Sequence, residues 1–296
     1  MNILVERYKG LGDVLFSLII CKGLFQKYSF PVSFATRENY FPLFHKCKFI
    51  KEGLKKEEID RRKFKLRFNL QDQIDFLPIC AQDHRLNLLA EICGLDTRFL
   101  DFDFKLSVST YQKRKARRKL TEKGIKEQDF LIGIHLRSIA EIRTWLIQYN
   151  LQLAQMLVEQ GKKIIILENQ IDKEFFLDKE HIFVPEDMDL SDLVGYISQC
   201  DLVICPDSGI MHLAGFLDIP FVALFGPILP DFRVRYYRKK RIHFKKDLEC
   251  ILCWDWQKGT CWKKNYKQCM TSIRPDEVLD SINDLIEELH ILGELK

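Results

Sequence analysis

The chain has 296 residues, 47% of them hydrophobic and 30% charged, with a formal net charge of +4. That composition excludes a disordered or low-complexity polymer, and the length suits two domains, each with a core of its own. No run of about eighteen apolar residues occurs, so no membrane span is expected, and Met1 to Arg7 lack the order of a secretory signal, which makes the cytoplasm the expected compartment.

In chain order, Asn2 to Val5 reads as a short strand, Lys9 to Asp13 as a glycine turn, and Val14 to Phe25 as a helix. Val32 to Ala35 and Lys65 to Asn69 read as strands, and Arg85 to Cys93 as a helix stopped by Gly94. Tyr111 to Gly124 reads as a basic helix, and a fresh strand begins at Phe130, so the domain boundary is placed near Gln128, with domains 1–128 and 129–296. The second half alternates strand Phe130 to His135, helix Asn150 to Gln160, strand Lys163 to Leu167, strand His181 to Val184, helix Leu190 to Gln199 and strand Leu202 to Cys205. Helix Ser208 to Leu217, strand Phe221 to Phe225 and closing helix Pro275 to Leu292 follow. This alternation predicts an α/β protein with parallel sheets covered by helices.

Two stretches, Lys113 to Lys119 and Arg233 to Lys246, are strongly basic and could hold nucleotide phosphates or an anionic membrane surface. Neither has a helix-turn-helix, RNP or finger context, which argues against nucleic acid. A solvated helix face is the plainer reading of the first.

The stretch Cys200 to Pro227 is the most informative. A buried strand delivers Asp207-Ser208-Gly209 to the start of a helix, at the strand end where open α/β sheets bind ligands. Backbone N–H groups and the Ser208 hydroxyl there suit a diphosphate, and His212 lies four residues on, on the same helix face. The same residues would equally serve as an N-cap with His212 in a packed core, and the local sequence does not choose.

With D-S-G-x-x-H-L-A followed by x-P-x-x-x-L-F-G-P, this stretch resembles the donor-site signature of the heptosyltransferases, family nine of the glycosyltransferases. Leu190 to Leu193, His135-x-Arg137 and Arg143-x-Trp145 resemble that family's donor domain, and Arg7 with Gly10 to Leu15 resembles its N-terminal motif. The resemblance implies the GT-B fold, two Rossmann-like domains facing a cleft, with acceptor bound by the N-terminal domain and nucleotide sugar by the C-terminal one. It implies Asp13 as catalytic base, although an aspartate there could also cap a helix. Arg137 and Arg143 would neutralise the departing diphosphate without a catalytic metal, with Ser138, Asp207, Ser208, Gly209 and His212 completing the donor site. The family often has lysine where Arg143 stands, which keeps the charge and changes the geometry. ADP-heptose is the implied donor, and a surface glycan, lipopolysaccharide core or protein the acceptor. A nucleotide-sugar epimerase of the same fold, or a non-enzymatic module binding an anionic polymer, are the competing readings.

Glu168 follows the strand Lys163 to Leu167 and reads as an exposed loop residue rather than a ribose ligand. Asp101-Phe102-Asp103 and Asp187-Met188-Asp189 read as a connection and a helix start rather than metal-binding pairs. Of ten cysteines, those at 21, 47, 80, 93, 200 and 205 read as small core residues. Cys250, Cys253, Cys261 and Cys269 are spaced for one tetrahedral ion, a structural zinc or iron in a knuckle over 250–269. Trp254, Trp256 and Trp262 are expected to pack on it.

Overall fold

The computed structural model describes residues 2–74, 83–169, 171, 175, 176, 178, 180–253, 261–263 and 266–294. The chain forms two compact units, Met1–Ser107 with Asp231–Tyr236, and Val108–Pro230 with Tyr237–Lys296.

The first unit runs β1 (Ile3–Glu6), α1 (Leu11–Tyr28), β2 (Val32–Ala35), β3 (Ile50–Leu54), β4 (Leu66–Asn69) and α2 (Arg85–Ile92). Its strands pair in parallel in the order β3-β2-β1-β4. The central β1 and β2 are buried at every position, which is why they read as continuous apolar runs and not as alternating ones. The chain winds outward from β1 through β2 to β3 and then crosses to β4 on the other side of β1. That reversal sets the carboxyl ends of β1 and β4 side by side, where such sheets bind ligands.

The second unit contains α3 (Thr110–Glu122), β5 (Leu131–Ile134), α4 (Ile147–Glu159), β6 (Lys163–Ile166), β7 (Ile182–Phe183), α5 (Leu190–Ile197), β8 (Leu202–Pro206), α6 (Gly209–Phe216) and β9 (Phe221–Phe225). The short α7 (Asp231–Val234) belongs to the first unit, after which β10 (Lys240–Phe244), α8 (Gln268–Thr271) and α9 (Pro275–Ile291) complete the second. Its sheet is parallel in the order β10-β9-β8-β5-β6-β7. The reversal here lies between β5 and β8. Ile132, Ile134, Ile164, Ile166, Leu202, Ile204, Val222 and Leu224 form the centre of the core, joined by Val278, Ile282 and Leu285 of α9. The α/β class and the parallel sheets are as expected.

The units divide at Ser107, not near Gln128. Helix α3 belongs with the second unit because its buried positions, Gln112, Ala116 and Leu120, lie against α5. The crossing is close: a Cβ on Gly195 would stand 2.8 Å from the carbonyl oxygen of Gln112. A run of lysines and arginines hides that narrow apolar seam in the sequence. Charges at Lys113, Arg114, Arg118 and Lys119 are indeed exposed.

The second basic stretch is not an open positive field. Arg233 is buried, and Lys240–Phe244 is an edge strand whose flanks are paired. Lys239 reaches Asp218 and Glu294, Arg241 reaches Glu288, and Lys245 reaches Glu277. Charged side chains along an edge strand also discourage pairing with another chain. Cys21, Cys93, Cys200 and Cys205 are buried as expected, Cys47 is half-buried, and Cys80 lies outside the described residues. No helix among the described residues is long and apolar enough to cross a membrane.

Candidate active site

In the first unit the turn after β1 brings Asp13 to the third position of α1. Gly10 is required at the helix entry: its φ is +79°, and a Cβ there would stand 2.8 Å from Asp13 Oδ2. Asp13 is therefore not the cap of a helix starting at Val14. Its carboxylate is gripped from both sides, Oδ2 by Arg7 Nη2 at 2.5 Å and Oδ1 by Arg85 Nε at 2.5 Å. Arg7 is held in turn, donating Nη1 to the Leu70 carbonyl and Nε to the Lys9 carbonyl. Burial acts to raise the Asp13 pKa, but the charges of Arg85 and Arg7, the Arg85 hydrogen bond and the charge of Arg233 outweigh it, so the carboxyl is held below the usual aspartate range. Such a group is ionised and fixed in direction. It can accept a hydrogen bond from a hydroxyl and take its proton late, as that oxygen becomes acidic.

Segment 231–236 supports this cluster. His84 Nε2 lies 3.1 Å from the Arg233 carbonyl, Arg235 pairs with Asp83 at 2.8 Å, and Tyr236 donates to Asn87 Oδ1 at 2.8 Å. The sequence assigns no site role to Arg85 or to this returning segment, because their partners lie 72 and 149 residues away in the chain.

In the second unit the ends of β5 and β8 carry most of the other predicted residues. Asp207 is buried and pairs with Arg143, whose Nη1 stands 3.0 Å from Asp207 Oδ2. Ser138 donates its hydroxyl to the Asp207 carbonyl at 2.8 Å. Ser208 is the N-cap of α6 without using its side chain as a cap; Oγ instead lies 3.1 Å from His135 Nδ1. Gly209 opens the helix. His212 is 5% exposed, and its Nδ1 lies 2.9 Å from the Tyr237 hydroxyl, so the packed environment expected as the alternative is present. Arg137 is the accessible cation of the group, its side chain 54% exposed.

Glu168 is not the exposed loop residue expected. Its side chain is 16% exposed, with Oε2 3.6 Å from His135 Nε2 and Oε1 3.5 Å from Arg137 Nη2. Of the two Asp-x-Asp triplets, Asp189 caps α5, accepting from the Asp192 N–H at 2.7 Å, and Asp101 pairs with Lys22.

The loop bearing Arg143 is tied to a distant segment. Lys267, 4% exposed and in the left-handed conformation at φ 53°, directs Nζ to the Glu141 carboxylate and to the Thr144 carbonyl at 3.2 Å. The Tyr266 hydroxyl also donates to Glu141, and Trp145 Nε1 donates to the Ile273 carbonyl at 3.0 Å.

Two residues beyond Lys267 lies Cys269. Burial pushes its thiol up to about 11, with Cys253, Cys250 and Cys261 each adding to the rise. As placed, no group of three or more His, Cys, Asp or Glu side chains among the described residues is set to hold a metal, and the expected knuckle is not formed as a ligand set. The donor type still suits a cation, since thiolates are the ligands that zinc and iron take in closed tetrahedral sites. Trp262 is 65% exposed rather than packed, and Trp254 and Trp256 lie outside the described residues.

Comparison with known proteins bears on the family and the fold. The model of glycosyltransferase family 9 (heptosyltransferase) matches residues 83–261, more than half of the chain. Lipopolysaccharide heptosyltransferase 2 of Salmonella typhimurium is 26% identical over 156 residues, covering 49% of this chain and 43% of that protein, so the matched stretch spans less than half of the relative. Among solved structures, ADP-heptose lps heptosyltransferase II of Escherichia coli superposes with a TM-score of 0.70 at 18% identity, covering 98% of this chain and all of that one (100%). The iron-containing dodecameric glycosyltransferase TibC of enterotoxigenic E. coli gives 0.72 at 14% identity over 98% of this chain and 78% of that one. These two likenesses are of fold. On the family match, with the signature from Asp207 to His212 standing at the sheet's reversal point, the chain belongs to glycosyltransferase family 9, the heptosyltransferase family.

Proposed function

We propose that this chain is an inverting glycosyltransferase that moves a sugar, heptose from ADP-heptose, onto a hydroxyl of a lipopolysaccharide core or related surface glycan, with a protein as the other acceptor class. The observation that carries this reading is the Asp207-Ser208-Gly209 turn at the reversal between β5 and β8, inside the region matched by the family model. In the proposed mechanism the diphosphate lies at the start of α6, where the helix N–H groups and Arg137 neutralise charge as it leaves. Arg143 keeps Asp207 oriented, and Ser138 fixes the loop to the Asp207 carbonyl. Asp13 accepts the acceptor's proton as its oxygen attacks the anomeric carbon. The same reading keeps the protein cytoplasmic and gives the exposed cations of α3 to an anionic membrane surface.

A panel of ADP, UDP and GDP and their sugars in thermal unfolding tests the donor site. Ligand at 100 times its dissociation constant adds about 2.7 kcal/mol. A rise in Tm with ADP compounds alone is expected; equal shifts with all three bases, or none, contradict the assignment.

Cys250, Cys253, Cys261 and Cys269 would hold the structural ion, zinc or iron, as a closed four-thiolate site that takes no part in group transfer. The iron reported for the TibC structure favours iron as one candidate. Elemental analysis of the purified protein is expected to give close to one ion per chain, lost with a fall in Tm in the double variant Cys250→Ser, Cys261→Ser. Full metal content in that variant would place the ion elsewhere.

A further inference from the structure

The polar chain at the ends of β5, β6 and β8 runs from Ser208 through His135 to Glu168. Ser208 Oγ faces His135 Nδ1 at 3.1 Å, and His135 Nε2 faces Glu168 Oε2 at 3.6 Å. Glu168 Oε2 is buried and has no hydrogen-bond partner among the described residues. A carboxylate oxygen in that position is poorly stabilised while it carries charge.

The charged and titratable groups around it are few. From the end of β5 come His135 and Arg137, the latter 3.5 Å from Oε1 and more than half exposed. From the end of β8 comes Asp207, already paired with Arg143. Beyond β6, Asn169 turns its side-chain amide to the Met188 backbone. Burial raises the Glu168 pKa, and Arg137 opposes this only in part. Burial, then the Arg137 charge, lowers His135 to about 4, so the ring is neutral and has one N–H to share between its two nitrogens.

That single N–H has two consequences. With the proton on Nε2, the N–H faces ionised Glu168 at 3.6 Å, an electrostatic contact beyond hydrogen-bond length, and Nδ1 accepts the Ser208 O–H, which turns the hydroxyl hydrogen inward. With the proton on Nδ1, the ring donates to Ser208 Oγ, and the hydroxyl hydrogen is released toward the start of α6. Nε2 then presents a lone pair to Glu168, which an ionised carboxylate repels and a protonated one satisfies. An anion at the start of α6 selects the second arrangement. It also draws the exposed Arg137 away from Glu168 and adds negative charge nearby, and both effects favour protonation of the acid.

We propose that binding of a diphosphate at the start of α6 is coupled to uptake of one proton by Glu168, passed to the site as a change of His135 tautomer that turns the Ser208 hydroxyl into a donor. The balance is simple: one solvent proton is bound by Glu168, the imidazole moves its N–H from Nε2 to Nδ1, and Ser208 keeps its hydrogen. Glu168 and His135 are positioning residues acting through Ser208. This rests on the diphosphate-site reading above. Because the free acid is ionised above its pKa and protonated when ligand is bound, affinity is highest at low pH. It falls as pH rises through the window between the free and bound pKa values, by up to tenfold per pH unit for a single proton.

ADP-ribose is a suitable probe, since its diphosphodiester does not titrate near neutrality and any proton taken up belongs to the protein. Calorimetry in buffers of different ionisation enthalpy, repeated from acidic to mildly alkaline pH, is expected to show little uptake at the acid end, where free Glu168 is already protonated, and uptake rising toward one proton per site as pH enters the window between the free and bound pKa values. Glu168→Gln, which presents a permanent donor to Nε2, is expected to bind with little pH dependence and no uptake. Binding to wild type without uptake at any pH overturns the proposal, as does undiminished uptake in Glu168→Gln; should that variant not fold, the wild-type titration decides alone. Failure of folded wild type to bind ADP-ribose or ADP at all removes the diphosphate-site reading itself, and this coupling with it.

Discussion

Replacing Asp13 by asparagine is expected to lower kcat by about 10²- to 10⁴-fold, the usual contribution of a positioned general base, while the dissociation constant for ADP stays within about twofold. The separation follows from the fold: Asp13 belongs to the first unit, and the residues assigned to the nucleotide belong to the second. The substitution has a second, structural effect. Asp13 sits between Arg7 and Arg85, which are 2% and 4% exposed, and the amide leaves two buried guanidinium groups facing a neutral partner. Removing one member of a buried ion pair costs about 3–5 kcal/mol. Turnover should therefore be compared at a temperature where both proteins are folded by circular dichroism. A variant that is folded and turns over at the wild-type rate would leave Asp13 as a structural counter-ion for two arginines.

Asp207→Asn is expected to weaken ADP binding by at least about tenfold and to lower stability by about 3–5 kcal/mol, because Arg143 loses the carboxylate that it meets at 3.0 Å in a buried setting. Chemical denaturation gives the second quantity and calorimetry the first. Here both effects come from one cause: Arg143 is positioned by Asp207, and the Asp207 carbonyl also receives the Ser138 hydroxyl. Unchanged ADP affinity in a measurably destabilised Asp207→Asn protein would make the pair a structural one. Arg143→Lys keeps the charge and gives up the planar fork, so an intermediate loss is expected.

Much of this arrangement is legible in the sequence wherever a signal is local. The strands β1, β5, β8 and β9 are buried throughout and stand out as apolar runs, and the turn from β8 into α6 is contiguous. What escapes is non-local or contrary to composition. Arg85 falls within a correctly read helix, but its partner Asp13 is 72 residues earlier. Helix α3 looks like a solvated basic rod because its seam against α5 is three residues wide, and that seam moves the division between units by some twenty residues. Glu168 shows how a single loop carboxylate gives no periodicity by which to judge its burial. Asp231–Tyr236 joins the first unit through His84, Asp83 and Asn87, a return of the chain that no pattern within the segment announces.

The Lys267 anchor bears on how this protein could be divided. Glu141 and Lys267 are 126 positions apart, and Trp145 and Ile273 are 128 apart. A fragment ending after β10 would retain the whole Asp207 to His212 signature, yet would lose the bonds that hold loop 141–145 in place. A transplantable second unit must therefore extend from α3 through at least Ile273, and in practice through α9, whose Val278, Ile282 and Leu285 belong to the same core. The shortest autonomous piece is thus set by the contacts that Lys267, Ile273 and α9 make back to the sheet and its loops rather than by the length of the signature.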